Sequence, residues 1–302
     1  MHSVQNRLLA GISAMTIAAT VGGPALAADV VYDVPTPPAV EYPAQGTKAW
    51  VSLEGRFNMF SSNDFDLTDF FYNYDGLPLD PSPENGWGGS FEIGVKPAGM
   101  DYDFVGRFTY LDSDGDAVYE YGPPEYVGAE AEVDQTLMLA DFEVGRELGV
   151  GTRLHAGLRF AHYDSSGEAY YYSSYPRSAG LSGHASFTGI GPRIGIDQRI
   201  GLTETVSLDL SAAGAAIYGK RKGDIALYAN PGGYRFNSVS DSGWVLNGEA
   251  SAGLTYSMGN TSITGGYRVD YFSDIGLDYQ TGDPSDYFSH GPFLKATFKL
   301  GG

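Results

Sequence analysis

The sequence predicts an all-β protein, a transmembrane antiparallel β-barrel of about ten strands with long extracellular loops and short periplasmic turns. Three observations predict it. Alternation of apolar and polar residues with period two begins near Trp50 and recurs to the end of the chain, the signature of strands with lipid on one side and water on the other. The links between the alternating stretches are short and long by turns. Finally, 42 glycines, 22 tyrosines and 16 phenylalanines accompany a mean hydropathy of −0.19, which suits tight turns and aromatic girdles better than a helical soluble core.

The elements follow in order. Arg7 precedes the apolar run Leu8 to Val21, and Ala25-Leu26-Ala27 is a small-x-small cleavage site, so residues 1–27 are expected to be a secretory signal peptide. Residues 28–47 hold Pro35, Pro37, Pro38 and Pro43 and are expected to form a Pro-rich periplasmic leader. The barrel is expected over residues 48–302. Beyond the leader no stretch approaches the ~20 apolar residues of a spanning helix. The chain has no cysteine, which leaves no disulfide framework and no thiolate metal site.

Ten apolar faces can be traced. The first is Val51, Leu53, Gly55, Phe57 and Met59, with Ser52, Glu54, Arg56 and Asn58 opposite. The others begin at Phe91, Phe104, Met138, Leu154, Ile190, Val206, Leu246, Ile263 and Leu294. Short links at 97–100, 146–152, 199–204 and 258–261 alternate with long ones near 61–86, 113–130, 164–183, 220–242 and 273–289. A barrel with periplasmic turns and extracellular loops requires that segregation.

With the apolar faces outside, the opposite parity lines the lumen. Its acids are Glu54, Glu92, Asp103, Asp141, Glu143, Asp197, Asp209, Glu249 and Asp270; its bases are Arg56, Lys96, Arg107, Arg153, Arg159, Arg193, Arg268, Lys295 and Lys299. Equal numbers of opposite charge imply ion pairs across the lumen, because unpaired buried charge is costly. Two readings stay open: a hydrated channel whose charged rows set ion preference, or a barrel filled by its own salt-bridged side chains.

The stretch GIGPRIGIDQRIG places Gly189, Gly191, Arg193, Gly195 and Asp197 inward and Pro192 outward. Side chains from neighbouring strands are expected to lie over the glycines, and a bulge or bend is expected at Pro192. The stretch is not a phosphate loop, since no helix and no Lys-Ser/Thr follow it. Phe187 to Gly219, with its Phe-x-Gly-x-Gly-Pro-Arg strand, resembles the signature of the Legionella major outer membrane protein family of pore-forming barrels. The resemblance implies an outer-membrane barrel with porin-like activity in a Gram-negative cell envelope.

Charge narrows the partners. One of the 18 basic residues and none of the 37 acids fall in the signal region, leaving 17 against 37 and a mature net charge of −20, which argues against nucleic-acid binding. Expected partners are outer-membrane lipid and lipopolysaccharide, small hydrophilic solutes, and host or surface ligands at the loops. The function expected first is a porin-like channel for passive diffusion of ions and small solutes. The alternative is a non-conducting surface barrel acting as an adhesin or ligand-binding protein through its tyrosine-rich outer loops, where tyrosine offers rigid contact area with a polar tip. No enzyme activity, cofactor or metal is expected. An omptin-like protease would need an Asp-His pair facing two aspartates, for which His162, His184, His290, Asp164, Asp270 and Asp274 are the candidates. Asp112, Asp114 and Asp116 have the opening spacing of a calcium loop, but Ala117 and Pro123 stand where its glycine and bidentate glutamate belong.

Overall fold

Residues 46–62, 85–121, 127–173, 178–230, 233–277 and 283–300 are described by a computed structural model. The expected signal peptide and nearly all of the Pro-rich leader lie outside these residues. Ten strands form: β1 (Lys48–Ser62), β2 (Asn85–Lys96), β3 (Tyr102–Tyr121), β4 (Val127–Gly149), β5 (Thr152–Ser173), β6 (Ser178–Gly201), β7 (Val206–Asn230), β8 (Gly233–Met258), β9 (Thr261–Leu277) and β10 (Pro284–Leu300). Each pairs antiparallel with its sequence neighbours, and β1 closes on β10 from Ala49↔Leu300 to Ser62↔Tyr287. Closure leaves no sheet edge unpaired in the hydrocarbon layer, as a membrane-spanning sheet requires. No described helix is long and apolar enough to cross a membrane.

The periplasmic links are tight. Gly151 sits at φ +75° between β4 and β5, and its carbonyl accepts from the Arg199 N–H at 2.7 Å. That left-handed backbone favours glycine. Outward side chains form the expected apolar band, in which Leu53, Phe142, Leu158, Ile194, Leu246 and Leu294 are exposed. Trp87 packs on Phe57 and Trp244 on Tyr218 toward the outer end, where interfacial aromatics anchor a barrel.

The long links differ from expectation. Most of 113–130, 164–183 and 220–242 is strand: β7 has 25 residues and β8 has 26, against the 9–11 or so that cross a bilayer. The β3–β4, β5–β6 and β7–β8 hairpins therefore continue well past the outer interface. Pairing holds them in register throughout, as from Val206↔Tyr256 to Ala229↔Gly233. In this extension the two faces exchange character: Ala129, Ala131 and Val133 are buried on the inner side, while Glu130, Glu132 and Asp134 are exposed on the outer.

Pro192 makes no bulge. The β6–β7 register is the same before it (Ile190↔Tyr218) and after it (Arg193↔Ala215), and Pro192 stays aligned with Leu158 on β5. The proline lacks an N–H for the facing Ala216 carbonyl. That carbonyl lies so close to Gly191 that a Cβ there would overlap it. A glycine before the proline thus lets the strand keep its register where the ladder loses a bond.

Candidate functional site

The lumen is organised in levels from the periplasmic end outward. The first is a vestibule of about 780 Å³. Lys48, Trp50 and Lys299 line its mouth, and Arg107, Arg268 and Phe293 line its deeper wall. The Trp50 indole N–H donates to Glu92 at 3.1 Å.

Above the vestibule lies a layer of ion pairs. Arg56 bonds Asp270 at 2.7 Å; Arg107 bonds Glu92 at 2.8 Å; Arg159 bonds Asp141 at 2.6 Å and Glu249 at 2.8 Å. Arg268 bridges Glu249 and Asp270, both at 3.0 Å, and Arg193 pairs with Glu143 and Glu249. Asn247 accepts a further bond from Arg159. Five arginines thus face five acids, Glu92, Asp141, Glu143, Glu249 and Asp270, and balance them, while Lys295 reaches Glu92 from the vestibule at 3.3 Å. Arg159 and Arg193 are 1% and 3% exposed. Burial of that degree is tolerated because each guanidinium meets carboxylates, while Nε of Arg193 and Nε and Nη2 of Arg56 find no hydrogen-bond partner among the described residues.

His155 completes the layer on the vestibule side. Its Nδ1 lies 3.1 Å from Glu143 and its Nε2 3.6 Å from Asp197, while Arg153 bonds Asp103 at 2.6 Å and Asp197 at 2.9 Å. The imidazole fills the space over Gly195, where a Cβ would strike the ring. The expectation that a neighbouring side chain lies over an inward glycine is met there. At Gly191 a backbone carbonyl takes that place, as described above.

Next comes an apolar layer. Leu139, Tyr163, Phe187, Ile217, Phe272 and Tyr287 come from six different strands, point inward, and are each 2% exposed or less. Tyr287 packs edge-on against Tyr163 and Phe272 at 5.8 and 6.0 Å. The end of β9 closes the layer from above. Asp274 has φ +55° and turns the strand inward, its carbonyl accepting from Arg221. Ile275 then joins this cluster, and Leu277 joins a second one with Ala131, Ala169 and Leu181. Gly223 on β7 leaves the space into which Leu277 seats.

The outer face of the extension is acidic and aromatic. Asp116, Glu132 and Glu168 are direct neighbours across β3, β4 and β5, and Asp114 faces Asp134. A cavity of about 420 Å³ opens beside them, lined by Asp224, His184 and Phe236 among others. The next row outward contains Tyr170, Tyr228 and Tyr234, all exposed. The Tyr170 hydroxyl donates to Glu168 at 3.0 Å, and that carboxylate holds the phenol above its usual pKa.

The eighteen charged residues expected to line the lumen all face it. Glu54, Glu92, Lys96, Asp103, Arg107, Arg153, Asp197, Asp209, Arg268, Lys295 and Lys299 reach the vestibule, and the other seven lie in the ion-paired layer. Lys96 pairs with Glu147 and Asp209 with Arg199 near the rim. The protease candidates do not converge: His184 lies 3.5 Å from Asp164 on the outer face, His162 bonds Thr188, His290 bonds Tyr267, and Asp270 is inside the lumen. Asp112, Asp114 and Asp116 are successive outward residues of the continuous strand β3 rather than a chelating loop. The sequence reading missed His155, Asn247, Trp50 and the whole apolar layer.

A family model described as Legionella pneumophila major outer membrane protein precursor matches residues 52–300. No curated protein matches the chain. Among solved structures, the chain resembles the outer membrane protease OmpT from Escherichia coli at 12% identity and a TM-score of 0.44, over 87% of this chain and 99% of that one. It resembles the translocator domain of the autotransporter NalP from Neisseria meningitidis at 12% identity and a TM-score of 0.41, over 84% and 88%. A third likeness is to the transport unit of the autotransporter AIDA-I from Escherichia coli, at 11% identity and a TM-score of 0.27, over 87% and 92%.

Proposed function

The chain belongs to the Legionella pneumophila major outer membrane protein family and resides in the outer membrane, and from that premise we propose that it works as a closed surface barrel. Its membrane part anchors and its extended hairpins present a binding face to the outside. The observation that carries this reading is the continuous dry section of the lumen, where Arg56, Arg159 and Arg193 and the six apolar side chains above them are all but inaccessible to water. A hydrated channel wets its wall. This wall packs against itself, as the interior of a narrow barrel can.

The outer face supplies what a ligand-binding surface needs. Tyr170, Tyr228 and Tyr234 stand in one row beside the acidic array, giving rigid aromatic area with polar tips. Such a surface suits a ligand with cationic or hydroxylated groups. Neither role asks for covalent chemistry, a cofactor or a metal.

Passive diffusion of ions and small hydrophilic solutes is the second reading, favoured by one observation: Glu249 is shared by Arg159, Arg193 and Arg268, so the layer has alternative pairings through which it could open. The test is planar-bilayer conductance of the folded, purified protein. The closed barrel predicts silence at membrane potentials that leave the fold intact. Steady ohmic channels from the same preparation would establish the porin reading instead.

A further inference from the structure

We infer that the periplasmic vestibule is a binding pocket for an anionic saccharide, a sugar acid or sugar phosphate of about disaccharide size. The charge of the pocket points to an anion. With Arg107, Arg268 and Glu92 of the ion-paired layer set aside, six cationic and five carboxylate side chains line it, a net of +1 in a chain whose net charge is −19. At the mouth, Lys48 and Lys96 are direct cross-strand partners on β1 and β2. Like charges so placed, with Cβ atoms about 5 Å apart, repel unless an anion lies between them. Lys299 joins them from β10, opposite Trp50. Lys96 alone of the three has an ion-pair partner, Glu147, whose side chain is 67% exposed. Among the described residues Lys48 and Lys299 make no ion pair.

The shape of the wall points to a sugar. The Trp50 indole covers Gly94, where a Cβ would run into the ring. Deeper in, the tip of the Phe293 ring reaches Gly253 and Gly266. An indole laid against the wall offers the cavity apolar aromatic surface, a platform for the C–H side of a pyranose ring. The bond from Trp50 to Glu92 holds the indole in that position before any ligand arrives, and such preorganisation lowers the cost of binding. Glu54 also lines the pocket and makes no ion pair among the described residues. Its carboxylate is available to accept hydroxyl hydrogen bonds. From Trp50 to Glu54 the strand rises about 13 Å, which matches a ligand with its acid group at the lysines and its second ring toward Glu54. A volume of about 780 Å³ lies in the range of small-molecule pockets.

The inference does not depend on a closed lumen, since the vestibule would exist at the mouth of a channel as well. The test uses the mature full-length protein folded in nanodiscs, with Trp87→Phe and Trp244→Phe so that Trp50 is the sole remaining tryptophan of three. Its fluorescence is titrated with lactobionate, with neutral lactose and with inorganic phosphate. Lactobionate should alter the emission saturably, at concentrations at least tenfold below those at which lactose or phosphate acts. Lys48→Gln with Lys299→Gln should weaken lactobionate roughly tenfold or more, the loss expected for charge-assisted bonds, and leave the circular dichroism unchanged. Equal responses to lactose and lactobionate would overturn the anion requirement. Equal responses to phosphate and lactobionate would overturn the saccharide. No saturable response in protein shown to be folded, or one indifferent to the two lysine changes, would overturn the site. Conductance measured on the same preparation keeps the two readings apart: a steady channel that still binds lactobionate refutes the closed barrel alone.

Discussion

Replacing Glu249 tests whether the lumen is dry. Its two carboxylate oxygens accept from three guanidiniums, Arg159 at 2.8 Å, Arg268 at 3.0 Å, and Arg193. In Glu249→Gln the layer of five arginines and five acids gains one uncompensated positive charge. Three charge-assisted bonds at about 1.5–3 kcal/mol each bound the loss from above. The arginines retain Asp141, Asp270 and Glu143 respectively, so the expected cost is the about 3–5 kcal/mol of breaking a buried pair. Removing Arg193 as well restores neutrality, and Glu143 still has His155 at 3.1 Å and Arg153 at 3.7 Å. Arg193→Gln in the Glu249→Gln background should therefore cost less than the two single changes added together, with a coupling of about 1–3 kcal/mol. The assay is denaturant unfolding from lipid vesicles, followed by tryptophan emission and by the shift of the folded band on unheated gels. A Glu249→Gln protein within about 0.5 kcal/mol of the parent, the range of changes away from buried features, would refute the reasoning. It would mean that water already screens these charges and that the lumen is open.

Other changes probe other levels. Phe187→Ala empties the centre of the apolar layer and should lower stability by about 3–5 kcal/mol, read in the same unfolding assay; a negligible loss would show that water already occupies that level. Gly191→Ala places a methyl group against the Ala216 carbonyl and should cost about 1–3 kcal/mol as overpacking does, with slower folding into vesicles, whereas the same change at Gly248, which has open space around it, should be nearly silent. Glu132→Gln removes the middle carboxylate of the Asp116, Glu132 and Glu168 row. It should raise the melting temperature slightly, by relief of roughly 0.2–1 kcal/mol per opposed pair, and the gain should shrink in high salt.

The barrel was legible because one rule, alternation, acts on every strand that crosses lipid. A residue such as Leu158 is outward because Arg159 is inward, and both follow from the pleat. The lumen residues could be named for the same reason, since charge on the inward parity of a membrane strand has only the lumen to enter. Which charges meet was not legible. Arg193 finds Glu249, 56 positions away on β8, only through barrel closure and stagger, and neither leaves a local trace.

The hairpin extensions were lost to a change of sign in the same pattern. In the Glu130 to Asp134 segment and its neighbours alternation persists, but the charged residues are now outward and the apolar ones inward. Once a strand leaves the bilayer, water replaces lipid outside it and its inner face can pack as a core. A search for apolar outer faces therefore ends each strand at the interface and calls the remainder loop. Searched with the opposite sign, Ala129, Ala131 and Val133 continue the inward parity of Leu137 and Leu139 without a break. The point where the sign changes then marks the outer interface, and the residues that keep inward parity across it, Leu137, Leu139, Tyr163 and Phe187, build the apolar layer. They lie where an inner face no longer has to be polar and an outer face no longer has to be greasy, so closing the lumen there needs only side chains that are large on the inside.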